Sequence, residues 1–172
     1  MNIKTSRLLI RHFDLKDWQA VYEYTSDRQV MKYIPEGVFT EEDVKAFINK
    51  NTAAEAKYFP VVLIEKDLLI GHMVFHQYFG EHTYEIGWVF NPKYYSKGYA
   101  SEAAKALLDY GFGKMKLHRI IATCQPENIA SYRIMEKIGM RREGHFKKCI
   151  PNGSEWWDEY YYAVLAEEWS KS

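Results

Sequence analysis

No window of the chain approaches the 18 or so consecutive apolar residues that a membrane-spanning helix needs, and the apolar run in "MNIKTSRLLIRHF" is short and broken by arginines. An excess of either charge is also missing. Lys plus Arg and Asp plus Glu stand at 23 each, so no global field draws the chain to nucleic acid or to an anionic membrane, and any anion site must be local. The scattered lysines form no basic stripe. Cysteine is scarce: Cys124 and Cys149 lie apart without metal-type spacing, and the six histidines form no cluster. These features argue against a structural metal and for a reduced, cytoplasmic setting. Repeats, low-complexity tracts and linker-like stretches are absent too, so the expected organisation is one domain over residues 1–172.

What the sequence does have is aromatic residues, 16% of the chain with 14 tyrosines, which suits strand-rich packing or a cleft lined with rings. Arg7 to Phe13 reads as a first strand. Asp14 then caps a helix with Leu15, Trp18, Val21 and Tyr22 on one stripe. Thr40 opens a second helix, with Asp43 completing a capping-box variant and Val44, Phe47 and Ile48 on its apolar face. The connection between them, "SDRQVMKYIPEGVF", is long enough to be a binding loop. "YFPVVLIE", "LLIGHMVFHQ" and "TYEIGWVF" follow on short turns as an antiparallel meander. A helix from Ser101 to about Lys114 crosses over to "RIIATC", which is therefore parallel to the strand before Pro92. A helix from about Asn128 to Ile138 ends at Gly139, and two last strands flank Asn152-Gly153. The sum is an α/β (α+β) sandwich around a mixed, mostly antiparallel seven-stranded sheet with about four helices.

The stretch "NPKYYSKGYASEAAKALL" changes from Pro and aromatics to small residues at the mouth of a helix. First-turn amides and the helix dipole favour a phosphate there, Gly98 admits close backbone approach, and Lys97 adds charge. A glycine-containing turn before an ordinary amphipathic helix explains the same letters. The dinucleotide and P-loop glycine patterns are both absent.

"YEIGWVFNPKYYSKGYASEAAKALLDYGF" with "NIASYRIMEKIGMRREG", the opening "TSRLLIRHF" and the closing "LAEEW" together resemble the GCN5-related N-acetyltransferase (GNAT) superfamily, and within it the branch of ribosomal-protein N-terminal acetyltransferases. The resemblance covers nearly the whole chain. It implies a sheet splayed at its centre, acetyl-coenzyme A as cofactor, and an acetyl group moved to a primary amine. The family loop Q/R-x-x-G-x-G/A wraps the pyrophosphate. Gly98 and Ala100 match its small positions, whereas Tyr95 replaces the usual Gln or Arg, and Ser96 stands where the branch commonly has glycine. By the same resemblance the cofactor is held by Trp88, Val89 and Phe90 at the splay, by Tyr95, Ser96, Lys97, Gly98, Tyr99, Ala100 and Ser101 in the loop, and by Asn128 and Ser131. Asn128 also reads as a plain N-cap. Ser131 reads as a small polar residue near a helix start, or, from the branch, as a proton donor to the departing thiolate. The tyrosine acid of many relatives is replaced by Met135, and Tyr132 points about 100° away around the helix.

Glu85, the one charge in "YEIGWVF", shares a strand face with Gly87 and Val89, and Gly87 suits a bulge. It is either a base acting through water or a structural carboxylate. Tyr33, Glu36, Glu85 and Trp156 are the expected acceptor-binding residues, with Met31, Glu155 and Trp157 as further candidates; alternation allows only one of the two tryptophans into a cleft. Cys124, in an apolar strand, reads as buried rather than nucleophilic. The acceptor is a protein N-terminus or a small amine (polyamine, aminoglycoside or amino acid). Nucleic acid and membrane are not expected partners, and the resemblance adds a homodimer. The rival reading is a catalytically silent acyl-coenzyme A-binding module.

Overall fold

A computed structural model describes residues 1–169. Its eight strands form one mixed sheet in the order β1-β2-β3-β4-β5-β6-β8-β7. The strands are β1 (Ile3–Lys4), β2 (Leu8–Ile10), β3 (Tyr58–Leu63), β4 (Leu68–Gln77), β5 (Thr83–Phe90), β6 (Arg119–Cys124), β7 (Arg141–Asn152) and β8 (Glu155–Leu165). The eighth strand is β1, a two-residue edge paired with β2, too short to leave any periodicity in the sequence. The helices are α1 (Trp18–Thr25), α2 (Glu41–Lys50), α3 (Tyr99–Gly113), α4 (Ile129–Lys137) and the single turn α5 (Ala166–Trp169).

Two cores sit on opposite faces of the sheet. Met73, Phe75, Ile86, Phe90 and Ile120 pack with Leu107 and Leu108 of α3 and Met135 of α4. On the other face Leu69, Val89 and Val62 pack with Val21 and Tyr24 of α1 and Val44 and Ile48 of α2. The first helix has a different phase from the expected one. Asp14 and Asp17 close a capping box on a 3-10 turn over Leu15–Asp17, so the α-helical phase begins at Trp18, turns Val21 and Tyr24 inward, and leaves Leu15 62% exposed. Thr40 and Asp43 form the capping box of α2, which satisfies amides that the first turn leaves free.

β5 is the hinge of the topology. Its pairing with β4 runs unshifted from Gln77↔Tyr84 to Gly71↔Phe90, so Gly87 makes no bulge; a Cβ there would meet Val74 at 3.3 Å, and glycine serves a close cross-strand approach. Register shifts lie instead between Val61 and Val62 on β3 and at two places along β7, Arg142/Gly144 and Phe146/Ile150. On its other side β5 pairs in parallel with β6 only through Thr83, Tyr84 and Glu85. Beyond Glu85 the two strands part.

Candidate active site

Parity along β5 decides which backbone groups face the opening. The Tyr78 amide bonds the Thr83 carbonyl and the Asn91 amide bonds the Ile70 carbonyl, both at 2.9 Å. Odd-numbered residues from Thr83 to Asn91 therefore direct their main-chain groups at β4. Trp88 and Phe90 direct theirs the other way, into the gap that β6 vacates.

A cavity of about 520 Å³ lies on one side of this gap, lined by Trp88, Val89 and Phe90, by Tyr95, Ser96, Gly98, Tyr99, Ala100 and Ser101, and by Asn128, Ser131, Arg133 and Lys137. α3 begins two residues earlier than its sequence pattern indicates. Gly98 is its N-cap at φ +79°, the first intrahelical bond runs from the Glu102 amide to the Gly98 carbonyl, and the amides of Tyr99, Ala100 and Ser101 are left without helical partners. Ser96 also has a left-handed φ of +60°, a conformation for which glycine is the usual occupant. Gly98 lines the cavity, and beyond its own helix and chain neighbours a Cβ there would meet only Arg7 Nη2, in ordinary contact at 3.6 Å. No acidic side chain lines this cavity among the described residues, while Arg133 and Lys137 do. An opened glycine turn, free helix amides and cationic walls fit a diphosphate.

Lys97 does not line this cavity; its amine lies over the Tyr94 ring, and its side chain borders an adjoining surface with Arg7, Lys105 and Lys137. Arg7 is a residue that the sequence reading missed. Its guanidinium donates to the Lys97 carbonyl at 3.1 Å, pairs with Glu102 and lies over the Tyr99 ring, clamping the loop to the first turn of α3. Thr5 and Ser6 bond the same Glu102 carboxylate; burial raises its pKa, but the Thr5 and Arg7 contacts outweigh that and hold it down.

A second cavity of about 350 Å³ adjoins on the other face of the sheet, and Tyr33, Ile34, Trp88, Val89, Asn128 and Ser131 line both. Met31, Glu36 and Glu85 line the second alone. Glu85 is partly buried, which raises its pKa; His76, with Nε2 3.5 Å away, and a hydrogen bond with Thr123 lower it, and Glu159 raises it. Asn128 accepts the Ser131 amide at 3.3 Å as N-cap of α4. The Ser131 side chain hydrogen-bonds Cys124, whose thiol is pushed up to about 12 by burial and is inert at neutral pH. Met135, though buried, lines this cavity, and Tyr132 lines neither, packing on Tyr160 instead.

Trp156 and Glu155 line neither cavity. Along β8, Glu159 faces the second cavity and Tyr160 faces α4, so alternation puts Trp157 on the cavity side and Trp156 on the other, where it is 56% exposed. The Trp157 ring accordingly meets Tyr33 at 6.1 Å. Glu159 went unread, although it lies two residues from Trp157 on the same strand face. Among the described residues no group of His, Cys, Asp and Glu is arranged to hold a metal ion, and no helix is long and apolar enough to cross a membrane.

A mixed sheet opened at its one parallel pair, with a cationic cavity and an acidic one meeting in the opening, is the architecture of an acetyltransferase. The chain belongs to the acetyltransferase (GNAT) domain family, whose pattern matches residues 7–141, and it is an N-acetyltransferase. It is 75% identical to the Uncharacterized N-acetyltransferase YnaD of Bacillus subtilis over 170 residues, covering 99% of this chain and 100% of that protein. A GNAT-family acetyltransferase from Bacillus anthracis superposes with a TM-score of 0.95 at 75% identity, over 97% of this chain and 99% of that one. More distant is the spermidine N-acetyltransferase of Vibrio cholerae, solved with CoA and spermine: TM-score 0.83, 22% identity, 96% and 99% coverage. The ribosomal protein uS5 alanine N-acetyltransferase of Escherichia coli is 27% identical over 89 residues, 52% of this chain and 46% of that protein.

Proposed function

We propose that the chain transfers the acetyl group of acetyl-coenzyme A to a primary amine by direct attack in a ternary complex, within one domain. The observation that carries this is the meeting of two oppositely charged cavities at Trp88, Val89, Asn128 and Ser131. Acetyl-coenzyme A supplies an activated thioester when bound. The free amides of Tyr99, Ala100 and Ser101, with Arg133 and Lys137, hold its phosphates. The main-chain groups of Trp88 and Phe90, fixed by the β4 ladder, hold its arm and polarise the reacting carbonyl, an electrostatic contribution that needs no reorganisation. Glu85, from the acidic side, takes the ammonium proton through water, its raised pKa bringing it nearer the working range of a general base. The Ser131 hydroxyl stabilises the leaving sulfur. Tyr33, Glu36 and the wall of the second cavity bind the amine. The distant relatives named for spermidine and for a ribosomal-protein alanine have a primary amine in common as acceptor.

The test is thiol release from acetyl-coenzyme A in the presence of primary amines, combined with calorimetry. Ser131→Ala should lower kcat on the order of 10²-fold with coenzyme A affinity unchanged. Gly98→Val should abolish that affinity by placing a branched side chain at positive φ on the cavity wall. Coenzyme A binding without turnover of any amine would replace the transferase reading with that of a silent binding module.

A further inference from the structure

The lining of the second cavity is predominantly acidic, with His76, its Nε2 3.5 Å from Glu85, beside three carboxylates. Glu36 from the loop before α2, Glu85 from β5 and Glu159 from β8 surround about 350 Å³, and no lysine or arginine lines it among the described residues. Tyr58 lines the same cavity: burial raises its pKa, and the Glu36 and Glu85 charges add to the rise. Phe39, Phe47 and Tyr58 form one continuous wall, with successive ring centroids 5.7 and 4.8 Å apart. His72, 4% exposed, lines the same cavity. One of its ring nitrogens contacts the Tyr24 hydroxyl at 2.7 Å, and the other has no protein partner among the described residues. Desolvation lowers this imidazole to about 3 and keeps it neutral, so it adds no cation.

Glu85 and Glu159 are half-buried and Glu36 is exposed at the rim, and like charges gathered round one cavity favour a cation in it. An acceptor bearing a carboxylate or phosphate would add to the repulsion, and a monocation would offset one charge. We infer that the acceptor is a small dication, an aliphatic diamine or polyamine, with one primary amine at Glu85 and a second ammonium between Glu36 and the Phe39–Phe47–Tyr58 wall. This rests on the transferase reading above. Ring faces attract an ammonium group, and a methylene stem suits the apolar walls. A protein N-terminus suits the cavity less, because the Tyr33–Trp157 contact joins the loop and the β7–β8 hairpin, two of the elements that wall it, and confines a continuing chain.

The test compares three compounds of four carbons each, 1,4-diaminobutane, n-butylamine and 4-aminobutyrate, with a short alanine-led peptide, reading thiol release and, separately, coenzyme A affinity. The diamine should exceed n-butylamine in kcat/KM by about 10- to 100-fold, the scale of one added charge-assisted contact. 4-Aminobutyrate should fall below both. Glu36→Gln should reduce the ratio of diamine to monoamine turnover about tenfold, and Glu36→Asp should restore part of it. Equal turnover of diamine and monoamine, or a peptide preferred to both, would overturn the dication while leaving acetyl transfer standing. Loss of coenzyme A affinity in the parent protein would overturn both.

Discussion

At Glu85 opposed influences act on one proton. Burial raises its pKa, His76 lowers it, Glu159 raises it, and the Thr123 hydrogen bond lowers it. A base must be ionised, so kcat/KM should fall as pH drops through a pKa that burial raises above the ordinary glutamate value. Replacing His76 by Gln should move that acid limb upward and Glu159→Gln should move it downward; Glu85→Gln should erase it. Shifts of the same sign in the two neighbours would remove Glu85 from the chemistry. The raised folded pKa also favours the neutral form on folding, a contribution that is full below the unfolded value and lost as pH rises through the folded one. Glu85→Gln should therefore unfold at a higher temperature than the parent at pH 8, with the gain vanishing near pH 4. Of these residues only Glu85 and Glu36 were legible in the sequence, as charges in an apolar strand and a long loop. Glu159 was not, because choosing between the faces of β8 requires a tertiary contact, Trp157 on Tyr33, and without it the choice fell on Trp156.

Elements bounded by strong turn chemistry were readable, and those set by partners were not. β4, β5 and β6 occupy the same residues as their sequence patterns, because β-branched and aromatic runs are bounded by Asp67, the Gly80 turn and Asn91-Pro92 for β4 and β5, and Pro126 follows closely on β6. The phase of α1 was hidden behind a 3-10 turn, and the start of α3 at Tyr99 follows from the left-handed φ of Gly98, which the letter G permits without requiring. The splay was visible only through family resemblance, since nothing in "EIGWVF" says that β6 leaves after Glu85. It makes a strong prediction at the element scale. Gly87 and Val89 direct their amides at β4, whereas Trp88 and Phe90 direct theirs into the gap. Amide exchange should be slow at Gly87 and Val89 with or without coenzyme A, and should slow at Trp88 and Phe90 only when it is added. Protection that rises equally at all four, or at none, would displace the cofactor from β5.

Across the whole molecule the equal charge totals conceal a division, with Arg133 and Lys137 lining one cavity and Glu36, Glu85 and Glu159 the other. Composition could not show it, because the three carboxylates come from a loop and two strands far apart in sequence. The same gap divides the sheet. β1 to β5 and β6-β8-β7 are joined in the ladder only through Thr83, Tyr84 and Glu85, with α3 and α4 packed over the junction. A ligand in the first cavity touches β5, α3 and α4 together, so its binding energy adds to the cohesion of both halves. Coenzyme A at 100 times its Kd should stabilise the fold by about 2.7 kcal/mol. At 2–4 °C per kcal/mol for a chain of this size, that is a rise of roughly 5–10 °C in Tm. Ser131→Ala should keep this shift, since its hydroxyl acts on the leaving sulfur, and Gly98→Val should lose it while remaining folded without ligand. Scanning calorimetry with and without coenzyme A measures both variants. Should Gly98→Val show the full shift, the phosphates would have to bind elsewhere than the mouth of α3, and the assignment of the first cavity would fall with them.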